Sequence, residues 1–95
     1  MTAGVKDDIG KPLVLRGFLQ QFPQAIEAVA RVSEYGAEKY TWNGWETVPD
    51  REERYGEALA RHLLKEGYDA ESSMLHAAHA AWNAMARLEI ILRNK

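Results

Sequence analysis

The run from Ser73 to Arg93 limits the folding options of this chain more than any other segment. It holds no Gly or Pro and consists almost wholly of Ala, Leu, Met, Trp and Ile, with a few polar interruptions. Residues of this kind at this length form an α-helix. Leu75, Ala78, Trp82, Met85 and Leu92 make one apolar face, and Ala77, Ala81, Ala84, Leu88 and Ile91 make another. A helix apolar on two faces is buried from two sides. In so short a chain the second side is expected to meet another subunit. The remaining stripe carries His76, His79, Asn83 and Arg87, which align at 100° per residue. Solvent stripes are usually Lys and Glu. Two imidazoles, a carboxamide and a guanidinium can instead bind metals, phosphates or nucleobases.

Two further helices complete an all-α bundle. The first is expected over about Pro23 to Tyr40, with Pro23 suited to the first helical position. Ile26, Val29, Ala30, Ser33, Ala37 and Tyr40 share its inner face, and Glu27, Arg31, Glu34 and Glu38 its outer one. Glu34 and Glu38 can hold a cation, but helix salt bridges on a solvated face explain them better. Gly36 inside this helix costs about 1 kcal/mol against Ala, which points to a close helix contact or a ligand. The second helix is expected over about Arg51 to Glu66. Asp50 would be its N-cap, with Glu53 completing a capping box, and Gly67 its stop. Its inner stripe is Tyr55, Ala58, Leu59, His62 and Leu63. Leu13 to Phe22 reads as a short helix or an extended arm on the bundle.

The 95 residues make one domain, 1–95, with 1–12 as a flexible or extended arm. Hydrophobic content of 46% with 27% charged residues reads as globular. A net charge of -2 gives no basic footprint for duplex nucleic acid. The absence of cysteine excludes disulfides and thiolate metal sites. No signal-peptide stretch and no 18-residue apolar run are present, so no membrane association is expected, and the cytoplasm is the default location.

Candidate chemistry gathers at His62, Asp69, Glu71, His76 and His79. His-x-x-His on a helix puts two imidazoles on one face, a spacing that suits divalent metals in bundles. Asp69 and Glu71, in the loop before it, can complete an N/O site for Mn, Fe, Co, Ni or Zn, whereas Mg prefers carboxylates. The alternative is that His76 and His79 stand on an exposed polar surface and His62 is a hydrogen-bonded core residue. Lys11, Lys39, Arg54 and Arg61 can hold phosphates, or simply lay their stems along apolar surface. Tyr40, Trp42 and Trp45, around an Asn-Gly turn, can stack a base or pack in the core. No phosphate-binding Gly-rich loop, nucleophile elbow or cysteine nucleophile is present. Metal-assisted hydrolysis is the enzymatic chemistry that remains.

The order of motifs is itself informative: Asp8 to Pro12, Phe22-Pro-Gln-Ala, Tyr-Gly-Ala-x-Lys-Tyr ending at Tyr40, Trp42-Asn-Gly-Trp45, Arg61-His62, Asp69-x-Glu71-Ser72, and His76-x-x-His79-x-x-x-Asn83. From about Lys6 to Leu92 the chain resembles the N-terminal domain family of phage dATP/dGTP diphosphohydrolases. That family is similar to the MazG-like all-α nucleoside triphosphate pyrophosphohydrolases. The resemblance implies a helical bundle working as a homodimer or homotetramer. It implies a phage nucleotide-pool enzyme that hydrolyses a (deoxy)purine nucleoside triphosphate to monophosphate and pyrophosphate with Mg or Mn. Catalytic roles then fall to His62, Glu71 and His79, and metal binding to Asp69, Glu71, His76 and His79, with Co, Ni or Zn as other ions. Substrate binding falls to Lys11, Lys39, Tyr40, Trp45, Arg54, Arg61 and Asn83. MazG-like enzymes hold metal with Glu-x-x-Glu and Glu-x-x-Asp. This chain has no Glu-x-x-Glu in its first helix and offers His-x-x-His in its third. Ser73 stands where a glycine is expected. The competing expectation is a non-enzymatic phage accessory protein that binds nucleotide or a host protein.

Overall fold

Pro23 opens the first long helix, α1 (Pro23–Lys39), from its N1 position, and the Tyr40 N–H closes it on the Gly36 carbonyl. A short 3-10 turn, Gly44–Thr47, leads to α2 (Arg51–Leu63), and a loop leads on to α3 (His76–Arg93). The computed structural model describes residues 9–95; residues 1–8 of the expected N-terminal arm lie outside the described part. The architecture of the described residues is all-α with three main helices. α3 is the central element, packed most extensively on α2 and then on α1.

Two helix limits differ from the sequence expectation. α2 stops at Leu63, not near Glu66, where the Leu64 and Lys65 amides turn back to Ala60 and His62. α3 starts at His76, not Ser73. Ser73 has φ +63°, a left-handed conformation that no helix interior accepts. The glycine expected at 73 would suit that angle. Residues 67–76 instead close into a small bridged loop. Asp69 N–H donates to Met74 O (2.7 Å) and His76 N–H to Gly67 O (2.9 Å), with Gly67 itself at φ +74°. The capping box is also absent. Asp50 flanks α2 as expected, but it adopts φ +52° and its side chain makes no cap hydrogen bond.

Leu13 to Phe22 contains a single π-type turn, Leu15–Leu19. It is helical but does not settle on the bundle: Leu13, Leu15 and Phe22 are all more than half exposed. The Cα radius of gyration is 16.2 Å, against about 12 Å for a compact chain of this length.

The inward face of α3 includes its polar stripe. His76, His79 and Asn83 are buried together with Ala78, Ala80, Ala86 and Ile90, and Val32 is the buried residue of α1. Neither sequence reading of the histidines as exposed surface nor that of Leu75, Met85 and Leu92 as core holds, since those three are 42–53% exposed. Buried polar groups are tolerated where each finds a partner. Among the described residues no buried side-chain nitrogen or oxygen lacks one. Trp82 turns towards α1 and donates its Nε1–H to Ser33 Oγ at 2.8 Å.

Candidate functional site

Three elements converge on a histidine cluster. α2 brings His62 in its last turn, α3 brings His76 and His79 in its first, and the bridged loop brings Asp69 and Ser72. The His62 and His76 Nδ1 atoms are 2.9 Å apart, so one must carry the hydrogen and the other accept it. The His62 and His79 rings stack with centroids 4.7 Å apart and 13° between their planes. Ser72 Oγ lies 2.9 Å from Asp69 Oδ2 and 2.7 Å from His79 Nε2. An ionised carboxylate only accepts, so the Ser72 hydroxyl donates to Asp69. Ser72 Oγ then accepts from His79 Nε2–H and from the Met74 amide at 3.2 Å. This is the reverse of a nucleophile arrangement, in which the serine gives its proton to histidine. Ser72 is a linchpin of the cluster.

The electrostatics favour the neutral form of His62 and His79. Burial lowers the pKa of His62, and the neighbouring His79 and His76 lower it further. Burial also lowers that of His79, against the pull of Asp69 at 3.8 Å. Hydrogen bonds from Ser72 hold Asp69 below its ordinary value.

Glu71 lies outside this cluster. It accepts from Lys39 Nζ at 3.0 Å and from Tyr35 O–H at 3.2 Å. The Lys39 bond is the main cause of its lowered pKa and of the raised pKa of Lys39. Tyr35 links the two groups, since its ring meets His79 edge-on at 6.2 Å. One ring nitrogen of each of His62, His76 and His79 is spent within the cluster, on another imidazole or on Ser72, and Glu71 is spent on Lys39. Among the described residues no group of three or more His, Asp or Glu is placed to hold a metal ion. The donor set as arranged does not fit a resident metal at Asp69, Glu71, His76 and His79.

Beside Lys39 opens an aromatic cavity of about 420 Å³, lined by Gly36, Tyr40, Trp42, Trp45, Tyr55 and Trp82 among others. Trp82 meets Trp45 and Tyr55 edge-on, at 6.0 and 5.5 Å. Tyr55 O–H donates to the Trp45 carbonyl at 2.6 Å. Lys39 Nζ sits 5.9 Å from the Tyr40 ring centre.

The sequence candidates therefore separate. His62, Asp69, His76 and His79 come together; Lys39, Glu71, Tyr40 and Trp45 gather around Tyr35 and the cavity. Asn83 donates to the His79 carbonyl of its own helix at 2.8 Å and so braces the backbone, not a ring. Arg54 and Arg61 lie exposed on α2 among Asp50, Glu53 and Glu57, which offset their charge. Lys11 is exposed on the N-terminal segment. Sequence reasoning missed Ser72, Tyr35, Tyr55 and Trp82 as parts of these sites. Asp69-x-x-Ser72, a spacing typical of side-chain turns, was the one available signal.

The family described as dATP/dGTP diphosphohydrolase, N-terminal, matches residues 2–95. A Salmonella phage PMBT28 protein named dATP/dGTP diphosphohydrolase is 38% identical over 87 residues, which cover 86% of this chain and 28% of that protein. The chain thus spans little more than a quarter of the length of the curated relative. No solved structure matches.

Proposed function

The chain belongs to the dATP/dGTP diphosphohydrolase N-terminal family, and on that premise we propose that it takes part in hydrolysing a (deoxy)purine nucleoside triphosphate to monophosphate and pyrophosphate. One observation carries the reading: the His79 imidazole, stacked on His62, stands one tyrosine ring away from a lysine beside an aromatic cavity. Lys39, exchanging Glu71 for a phosphate oxygen, holds the triphosphate. His62 is the least buried of the three histidines. With its Nδ1–H donated to His76, its Nε2 takes the proton of water attacking the α-phosphorus, and the bond to pyrophosphate breaks. Lowered pKa values keep the base free near neutral pH. The divalent cation is then the Mg or Mn that accompanies the triphosphate, not a resident ion.

We further propose a homodimer or homotetramer. The accessible surface is 7518 Å², against about 5,500 Å² for a folded monomer of this mass. The uncovered face of α3, with Leu88 and Leu92, is the natural contact.

The test is pyrophosphate release from each deoxynucleoside triphosphate with Mg or Mn, for the wild type and His62→Gln. Release that falls at least tenfold in the variant supports the reading. No release from any substrate with either ion sinks it. The second reading, a non-enzymatic module that binds nucleotide, then takes over; it is favoured by the absence of a Glu-x-x-Glu pair from α1.

A further inference from the structure

We propose that Gly36 keeps the aromatic cavity open as a slot for a purine ring, which makes it a specificity-determining position. This deepens the nucleotide reading above and rests on it. A glycine within a helix usually answers to a left-handed backbone angle or to a close neighbour. Gly36 answers to neither. It lies inside α1 without a positive φ, and a Cβ placed on it would meet no atom within 4 Å. Gly56 is the contrast, since a Cβ there would stand 3.2 Å from Arg87 Nε. The space that Gly36 leaves belongs to the cavity.

The lining tells which ligand fits. Trp42 and Tyr40 are 64% and 75% exposed, two large rings left uncovered by the protein itself. Aromatic faces of this kind stack planar bases. Lys39 Nζ, close to the Tyr40 ring, supplies a cation for the phosphates attached to such a base. Two of the polar groups in the lining are already engaged. Ser33 Oγ is engaged by Trp82 and the Trp45 carbonyl by Tyr55. A slot built mainly of aromatic rings favours purines, whose two fused rings stack over more of it, over pyrimidines.

All three tryptophans of the chain line this cavity, so their fluorescence reports occupancy directly. The experiment titrates dATP, dGTP, dCTP, dTTP and inorganic tripolyphosphate into wild type, Gly36→Ala and Gly36→Leu, with thermal unfolding in parallel. Ala and Leu are better helix formers than Gly, so both variants should melt no lower than wild type. We expect dATP and dGTP to bind about tenfold more tightly than the pyrimidines. Gly36→Leu should weaken purine binding by about tenfold or more and leave tripolyphosphate unaffected. Gly36→Ala should show the same pattern to a lesser degree and decides the matter if the leucine variant unfolds. Equal purine affinity in wild type and a folded variant overturns the proposal. So does wild-type binding of dATP and dGTP no tighter than that of tripolyphosphate. If purines bind as expected and no pyrophosphate is released, the proposed hydrolysis fails and the slot stands. If hydrolysis proceeds and is indifferent to Gly36→Leu, the slot fails and the hydrolysis stands.

Discussion

Replacing Ser72 with alanine removes one oxygen and should cost far more than a surface change. Ser72 Oγ accepts from His79 Nε2–H and from the Met74 amide, and it donates to Asp69. Each lost hydrogen bond costs about 0.5–1.5 kcal/mol net, and a buried donor left without an acceptor about 1–3 kcal/mol. His79 is only 8% exposed, so water does not readily replace the lost acceptor. Asp69 keeps the Ser72 backbone N–H at 3.1 Å and is partly exposed, so its share is small. The expected loss is about 2–4 kcal/mol. At about 5 °C per kcal/mol for a domain of this size, the melting temperature falls by roughly 10–20 °C. Urea unfolding followed by circular dichroism measures the loss. Ser72→Thr retains the hydroxyl and should stay within about 1 kcal/mol of wild type. A loss below about 0.5 kcal/mol for Ser72→Ala would show that His79 does not depend on this oxygen, and the account of the cluster would be wrong.

Stability should also depend on pH. The folded pKa values of His62 and His79 lie below the ordinary 6.5; the unfolded chain therefore binds more protons, and stability rises with pH. It should be complete above about pH 6.5 and decline as pH falls below that value, a decline that His62→Gln reduces; a flat profile from pH 7.5 to 5.5 would contradict this. Ser73→Gly should stabilise by about 0.5–1 kcal/mol, because glycine accepts the left-handed angle without strain; a loss on urea unfolding would count against the loop geometry. Trp82→Phe forfeits the bond to Ser33 and part of the contact with Trp45 and Tyr55. It should cost about 1–3 kcal/mol, checked by thermal unfolding. Leu88→Glu combined with Leu92→Glu should give a folded monomer by sedimentation, and a wild type that is already monomeric at micromolar concentration would refute the proposed contact face.

The candidate site was half legible. His62, Asp69, His76 and His79 could be listed because imidazoles and acids are conspicuous in an Ala-rich background. Their chemistry was less visible. The metal reading followed from His-x-x-His spacing, which sets the separation of two side chains along a helix but not what their nitrogens face. Ser72 places His79 in a hydrogen-bonded network, and Lys39 draws Glu71 away; both partners come from outside α3. Arg54 and Arg61 share a helix face, as their seven-residue spacing required. Only the packing of α2 shows that this face points to solvent among acids.

Helix formation is governed by interactions between near neighbours, so sequence alone determined that three helices exist, that Pro23 and Arg51 begin two of them, and that Arg93 ends the third. The start of α3 depended on a backbone bridge between Tyr68 and Leu75, a pairing that helical periodicity does not register. The inward face of α3 was likewise a tertiary decision. By composition its apolar faces should be buried and its histidine stripe exposed. Burying polar groups is costly only while they lack partners, and His62 from α2 and Ser72 from the loop supply those partners. Complementarity between segments distant in sequence therefore drew the polar stripe inwards beside Ala78, Ala80, Ala86 and Ile90, and it left Leu88 and Leu92 facing outwards.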